Sequence, residues 1–158
     1  AIIPRLGWAW TLPEGVLEWA WQGLGPGPSY PDMAEGAWMG TFAEPADRQA
    51  WLSHSPLKPQ ECSLRQHVTR FAVRTSAATW VFTASQPVGV SLVPYSVEAL
   101  STANHAWELA QQPPSGWQLI VDTHHHGIGS RSCGPDVLPA FQAHPTASDL
   151  TVSLRQWA

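Results

Sequence analysis

Arg5-Leu6-Gly7-Trp8-Ala9-Trp10-Thr11-Leu12-Pro13-Glu14-Gly15-Val16-Leu17-Glu18-Trp19-Ala20-Trp21 is the stretch that sets the fold class. Large apolar side chains take every second position of its first arm, Leu6, Trp8, Trp10 and Leu12, and again of its second, Leu17, Trp19 and Trp21. A period of two puts such residues on one face of an extended strand, whereas a helix would scatter them. Pro13-Glu14-Gly15 between the arms is turn chemistry. The stretch therefore reads as an antiparallel hairpin whose four tryptophans make one apolar surface. The chain holds 10 tryptophans in 158 residues. Each brings a large apolar surface and an N–H that needs a partner when buried. Core packing is the expected use of Trp8, Trp10, Trp19 and Trp21, and a platform for a sugar ring is the other.

Outward from this pair, short alternating segments recur. Leu64 to Val73 alternates without a clean face, which suggests a strand buried partly on both sides. Trp80–Ala84 and Val88–Val93 read as two strands split by Ser85-Gln86-Pro87. Trp107-Glu108-Leu109, Trp117–Thr123 and Leu150–Arg155 read as three more, the last with Leu150, Val152 and Leu154 inward. Ser96 is an N-cap for a helical start, with Glu98 in its first turn. Gly23 to Asp32 is dense in glycine and proline, which excludes helix and central strand. Its G-x-G has no third spaced glycine and no following helix, so it is not a dinucleotide fingerprint. Residues 33 to 63 are poorly patterned: Trp38 and Phe42 anchor a bend, Glu44 to Arg48 suits a short helical turn, and Pro56 and Pro59 predict irregular chain. Gln111 to Gly116 is a turn. Strands this short, with Gly/Pro turns between them, predict one all-β domain over residues 1–158, an antiparallel β-sandwich.

Composition narrows the partners. The chain carries 8 Lys+Arg against 12 Asp+Glu, a formal net charge of −4, and Lys58 is its only lysine. No basic patch exists for a phosphate backbone, so nucleic acid is excluded as a partner. No apolar run approaches the roughly 20 residues that span a bilayer, and no signal peptide is visible. Two cysteines, Cys62 and Cys133, do not make a disulfide framework. Free thiols in a cytoplasmic protein are expected.

The chemistry-bearing stretch is Asp122 to Pro139, DTHHHGIGSRSCGPDVLP. It leaves the apolar run Trp117–Val121 and enters a loop in which Gly127 and Gly129 suggest positive φ or close backbone approach. On a strand His124 and His126 share one face and His125 the other, so the three cannot converge on one metal. A structural histidine held by Asp122 is expected instead. Glu14, Asp32, Glu61, Asp122 and Asp136 lie near loops, yet no two are framed as the acid and nucleophile of a glycosidase. Cys133, with Arg131 near in sequence and His125 near in space, is a weak nucleophile candidate.

Arg5 to Arg155 resembles the C-terminal half of the last domain of large bacterial β-galactosidases, the family-two glycoside hydrolases. Trp21-Gln22-Gly23-Leu24-Gly25-Pro26 with Tyr30-Pro31-Asp32 is similar to the family's W-x-G-x-G-P…Y-P-D loop. Pro59-Gln60-Glu61 with Arg65 and Val68 resembles its P-Q-E…R…V-R segment. Asp122, His125, Gly127-Ile128-Gly129 and Gly134-Pro135 fit its D-x-x-H-x-G-h-G-x-x-x-W-x-P loop. The resemblance implies part of a galactose-mutarotase-like supersandwich. It further implies catalytic glutamates in a central barrel outside this chain, Mg2+ and Na+ sites in other domains, and a homo-oligomer. This domain would border the galactoside site through a rim loop formed by His125, Arg131, Ser132 and Cys133. Cys133 stands where the family has a tryptophan that stacks on the aglycone sugar, and Ser63 where a glycine is usual. The resemblance assigns the chain no catalytic residue and no resident cofactor or metal; alone it would be inactive. A stand-alone carbohydrate-binding or sugar-epimerase-like module is the alternative, and an assembly domain a third reading.

Overall fold

The computed structural model describes residues 1–12, 15–46, 60–111, 116–129 and 133–157. Seven strands hydrogen-bond antiparallel: β1 (Arg5–Leu12), β2 (Val16–Gly25), β3 (Trp38–Pro45), β4 (Arg65–Thr75), β5 (Thr79–Val93), β6 (Trp117–His125) and β7 (Val152–Trp157). Two short helices, α1 (Val97–Thr102) and α2 (Ala106–Gln111), and one 3-10 turn (Pro139–Phe141) complete the elements. The all-β, antiparallel class is as the alternation predicts. Among the described residues no helix is long and apolar enough to cross a membrane.

The spatial order is β1-β6-β5-β4-β2-β3, with β7 also on β5. The long β5 organises it. Its first half pairs with β7 from Thr79↔Trp157 to Ala84↔Val152, and its second half with β6 from Gly89↔Asp122 to Val93↔Gln118. Ser85-Gln86-Pro87 was expected to divide two strands; it lies inside one, where the partner changes from β7 to β6 and no ladder bond is asked of Pro87. The larger of two core clusters is drawn mainly from β2, β4, β5 and β6 and includes Trp19, Trp21, Phe71, Val73, Val90, Leu92, Leu119 and Val121, while Ala99, Leu100, Ala103 and Leu109 form a smaller one at the helices. Phe71 and Phe82 stack with ring centroids 4.6 Å apart.

Several expectations need correction. β1 and β2 are not a hairpin: β1 pairs with β6, from Arg5↔His125 to Leu12↔Trp117, while β2 lies between β3 and β4. Only two of the four tryptophans enter the core. Trp19 and Trp21 are buried at 1% and 2% exposure, but Trp8 and Trp10 keep 47% and 41%. Their face is the right one, yet little packs upon it at β1. A register shift between Val16 and Glu18 also buries Val16 and turns Leu17 outward.

The unclean face of β4 arises from two register irregularities, between Arg65 and Val68 and between Val68 and Arg70, with His67 at φ 55°. They let Arg65, Val68, Phe71 and Val73 all face inward. β2 runs on through Gly23-Leu24-Gly25, because β3 pairs along it to Gly25↔Trp38. β3 itself covers Trp38 to Pro45, where a bend and a helical turn were expected; it is an edge strand with exposed Trp38 and Met39. Arg48, Pro56 and Pro59 lie outside the described residues, as do the turn residues Pro13, Glu14 and Gln112 to Ser115. Ser96 caps α1 as read, accepting the Ala99 N–H. Trp107-Glu108-Leu109 is helical in α2, not a strand. β7 packs Val152 against the core but leaves Leu154 exposed.

Candidate functional site

β6 ends at His125, and the chain leaves the sheet through His126, Gly127, Ile128 and Gly129. Four contacts fix this stretch. His126 N–H donates to the Pro4 carbonyl at 2.9 Å and Gly127 N–H to the Phe141 carbonyl at 2.9 Å. The Asp32 carboxylate then accepts the Ile128 N–H at 2.9 Å and the Gly129 N–H at 2.7 Å. The glycines are needed for this: Gly129 sits at φ 62°, and a Cβ on Gly127 would lie 2.7 Å from the Asp32 carboxylate. The expectation of positive φ or close approach at these two positions holds, one for each.

The three histidines diverge. His124 Nε2 meets Thr146 Oγ1 at 2.9 Å, and His126 Nδ1 accepts the Ala143 N–H at 3.1 Å. His125 Nδ1 lies 2.7 Å from the His126 carbonyl, so that nitrogen carries the hydrogen, and the ring meets Tyr30 edge-on at 5.3 Å. Asp122 was expected to hold a histidine, but its hydrogen bonds go to Arg5, whose Nε lies 3.1 Å from Oδ1. An arginine fork across the β1–β6 pair satisfies a buried carboxylate better than one imidazole could. Burial raises the Asp122 carboxyl against the opposing pull of Arg5, and lowers the His125 imidazole.

A polar cluster begins at Tyr30, beside His125. Tyr30 Oη donates to Glu61 Oε2 at 2.7 Å, and Glu61 Oε1 accepts the Ser63 N–H at 2.9 Å. Burial, then Glu61, pushes the Tyr30 phenol far up and the Cys62 thiol to about 11. Ser63 is buried: its hydroxyl donates to the Leu92 carbonyl and accepts the Leu92 N–H. Arg65 is buried with its guanidinium 4.8 Å from the Trp21 ring centroid and 5.4 Å from that of Trp19. Glu44 Oε1 accepts both Arg65 Nη2 and Trp19 Nε1 at 2.9 Å.

Of the sequence-derived rim residues, His125 lines an open pocket of about 410 Å³ with Gln66, Thr123, His124, Phe141 and His144. Cys133 is exposed and Cys62 partly buried, and neither forms a disulfide. Arg131 and Ser132 lie outside the described residues, as does Glu14. Asp32, Glu61 and Asp122 are engaged in hydrogen bonds within the fold, and Asp136 Oδ1 accepts the Val137 N–H. Among the described residues no three His, Cys, Asp or Glu side chains gather where they could hold a metal ion. Sequence reasoning missed the partnerships of Asp32 and Arg5; the Tyr30-Pro31-Asp32 triplet was the one signal that pointed toward the first.

A family model described as the beta galactosidase small chain matches residues 1–155. The chain belongs to the β-galactosidase small-chain family. Curated relatives agree. The β-galactosidase of Arthrobacter sp. (strain B7) is 32% identical over 160 aligned positions, covering 98% of this chain and 15% of the relative. That of Lactobacillus delbrueckii subsp. bulgaricus is 29% identical over 141, covering 89% and 13%. That of Kluyveromyces lactis is 26% identical over 140, covering 88% and 13%. This small-chain sequence thus spans about 15% of the Arthrobacter relative's length.

Proposed function

We propose that the chain is the rim-bearing portion of an enzyme that hydrolyses terminal β-galactosides. It supplies a wall of the galactoside site and not the catalytic glutamates. The observation that carries this reading is the loop after β6: its first turn is clamped by Asp32, its exposed Cys133 follows, and His125 lines an open pocket of mixed polar and apolar character. A loop fixed at its base on a rigid sheet is how a scaffold presents groups to a ligand. His125, Arg131, Ser132 and Cys133 are the residues that would meet substrate. Engagement of Asp32, Glu61, Asp122 and Asp136 in structural hydrogen bonds favours acid and nucleophile elsewhere in the parent enzyme. Mg2+ and Na+ would likewise belong to other domains of a homo-oligomeric, cytoplasmic enzyme. The test is galactoside turnover. The pure chain should not release a chromogenic aglycone, and should restore turnover when assembled with the remaining β-galactosidase polypeptide. Turnover by the chain alone, lost on substituting one of its own carboxylates, would overturn the reading.

A further inference from the structure

The pocket at the end of β6 keeps hydrogen-bonding groups that the fold does not use. Its volume of about 410 Å³ lies at the lower end of the range for small-molecule sites, roughly 300–1,000 Å³. Gln66 reaches it from the irregular start of β4, beside His67 at φ 55°. A non-glycine residue in that backbone region is uncommon, and bulges re-aim side chains next to binding sites. The buried Ser29 hydroxyl holds the Gln66 N–H at 2.8 Å. The side-chain amide of Gln66 has no hydrogen-bond partner among the described residues.

Two imidazoles of the wall share one tautomer. His125 Nδ1 lies 2.7 Å from the His126 carbonyl, and His144 Nδ1 lies 3.1 Å from the Ala1 carbonyl. A carbonyl only accepts, so each Nδ1 carries the hydrogen and each Nε2 keeps a lone pair. Neither Nε2 has a hydrogen-bond partner among the described residues. The described residues that line the pocket include no lysine, arginine, aspartate or glutamate. A phosphate or carboxylate would set further acceptors against those lone pairs, with no cation to offset its charge. An ammonium ion would meet no carboxylate. Hydroxyl groups suit the wall: they donate to the two Nε2 atoms, and they both give to and take from the Gln66 amide. Phe141 and Pro31 supply an apolar patch against which the C–H face of a sugar ring packs. We propose that this pocket binds a neutral saccharide, holding one pyranose unit through Gln66, His125 and His144. This follows from the pocket's own chemistry, whether or not the chain works within a galactosidase.

Titration with galactose, glucose and sodium sulfate tests it, on the full chain alone and on the chain assembled with the remaining β-galactosidase polypeptide. Histidine labelled in this chain only reports from the pocket in both states by its imidazole chemical shifts. Either sugar should move the His125 and His144 signals saturably, and sulfate should not. Gln66→Ala and His144→Ala should each weaken sugar binding by about three- to tenfold, the effect of one hydrogen bond, with the melting temperature unchanged. His105→Ala, outside the pocket, should leave it alone. Signals unmoved by both sugars, sulfate that moves them as the sugars do, or binding indifferent to both pocket variants would each overturn the proposal. Turnover of a chromogenic galactoside by the assembly keeps the two ideas apart. Saturable binding without turnover supports the pocket and rejects the galactosidase reading, whereas turnover with unmoved signals rejects the pocket alone.

Discussion

The Asp32 carboxylate holds the Gly129 N–H at 2.7 Å across 97 residues of sequence, and the same side chain takes the Ile128 N–H at 2.9 Å. One carboxylate thereby fixes the turn from which the loop after β6 departs. A charge-assisted hydrogen bond contributes about 1.5–3 kcal/mol. Asp32→Ala should accordingly destabilise the chain by about 2–3 kcal/mol, and Asp32→Asn, which keeps one acceptor, by less. The urea midpoint should fall with an unchanged m-value, and exchange at Ile128 and Gly129 should quicken first. Gly127→Ala should mimic the loss, because its Cβ would displace the carboxylate.

A second prediction concerns Glu44, whose Oε1 accepts from both Arg65 and Trp19. Removing one partner of a buried ion pair strands the other charge. Glu44→Ala should cost about 3–5 kcal/mol, the range for a broken buried pair. Glu18→Ala, which breaks the exposed pair with Arg74, should cost no more than about 1 kcal/mol. Equilibrium unfolding of the two variants side by side checks the contrast.

These contacts mark where the sequence stopped being informative. Alternation is local, so it located β1, β2 and most later strands and gave the correct faces for Trp19, Trp21, Trp8 and Trp10. Pairing is not local. Nothing within Arg5–Leu12 specifies β6 over β2 as its neighbour, and the hairpin reading failed for that reason. Bulges defeat a strict period of two, which is why Val16 and Leu17 exchanged places and β4 had no clean face. β3 was invisible because an edge strand exposes Trp38 and Met39 and has no interior stripe to read. Trp107 sits in a six-residue helix too short to show its own period. At the site, the loop and its glycines were legible as turn chemistry, but the loop donors to Asp32 and the β1 arginine that holds Asp122 lie far away from them in the chain.

His125 gives a pH prediction. Burial holds its imidazole below the usual value of 6.5, with Arg5 adding to the depression and the His126 carbonyl opposing it. In the window between the folded value and 6.5, the unfolded chain binds a proton that the folded chain does not. Stability therefore rises with pH through that window and falls as the solution is acidified. Thermal melts between neutral and mildly acidic pH should show the decline, and His125→Gln should flatten it. An equal slope in the variant would assign the effect to another group.

Cys133 carries the last prediction. The thiol is exposed, so a larger side chain there meets solvent and not a packed interior. An indole offers a broad apolar face to a sugar ring where a thiol offers little. If the loop lines the site that receives the leaving sugar, Cys133→Trp in the assembled enzyme should strengthen acceptor binding by about 1 kcal/mol, the order of one aromatic contact. Hydrolysis of a galactoside with a small leaving group should change less, since the groups that break the bond are untouched. Overpacking would cost about 1–3 kcal/mol in a filled core, and no such loss of melting temperature is expected at an exposed position. The quantity to measure is the ratio of transglycosylation to hydrolysis with glucose as acceptor, which should rise in the variant. A ratio that stays at the wild-type value while the variant folds normally would remove Cys133 from the rim.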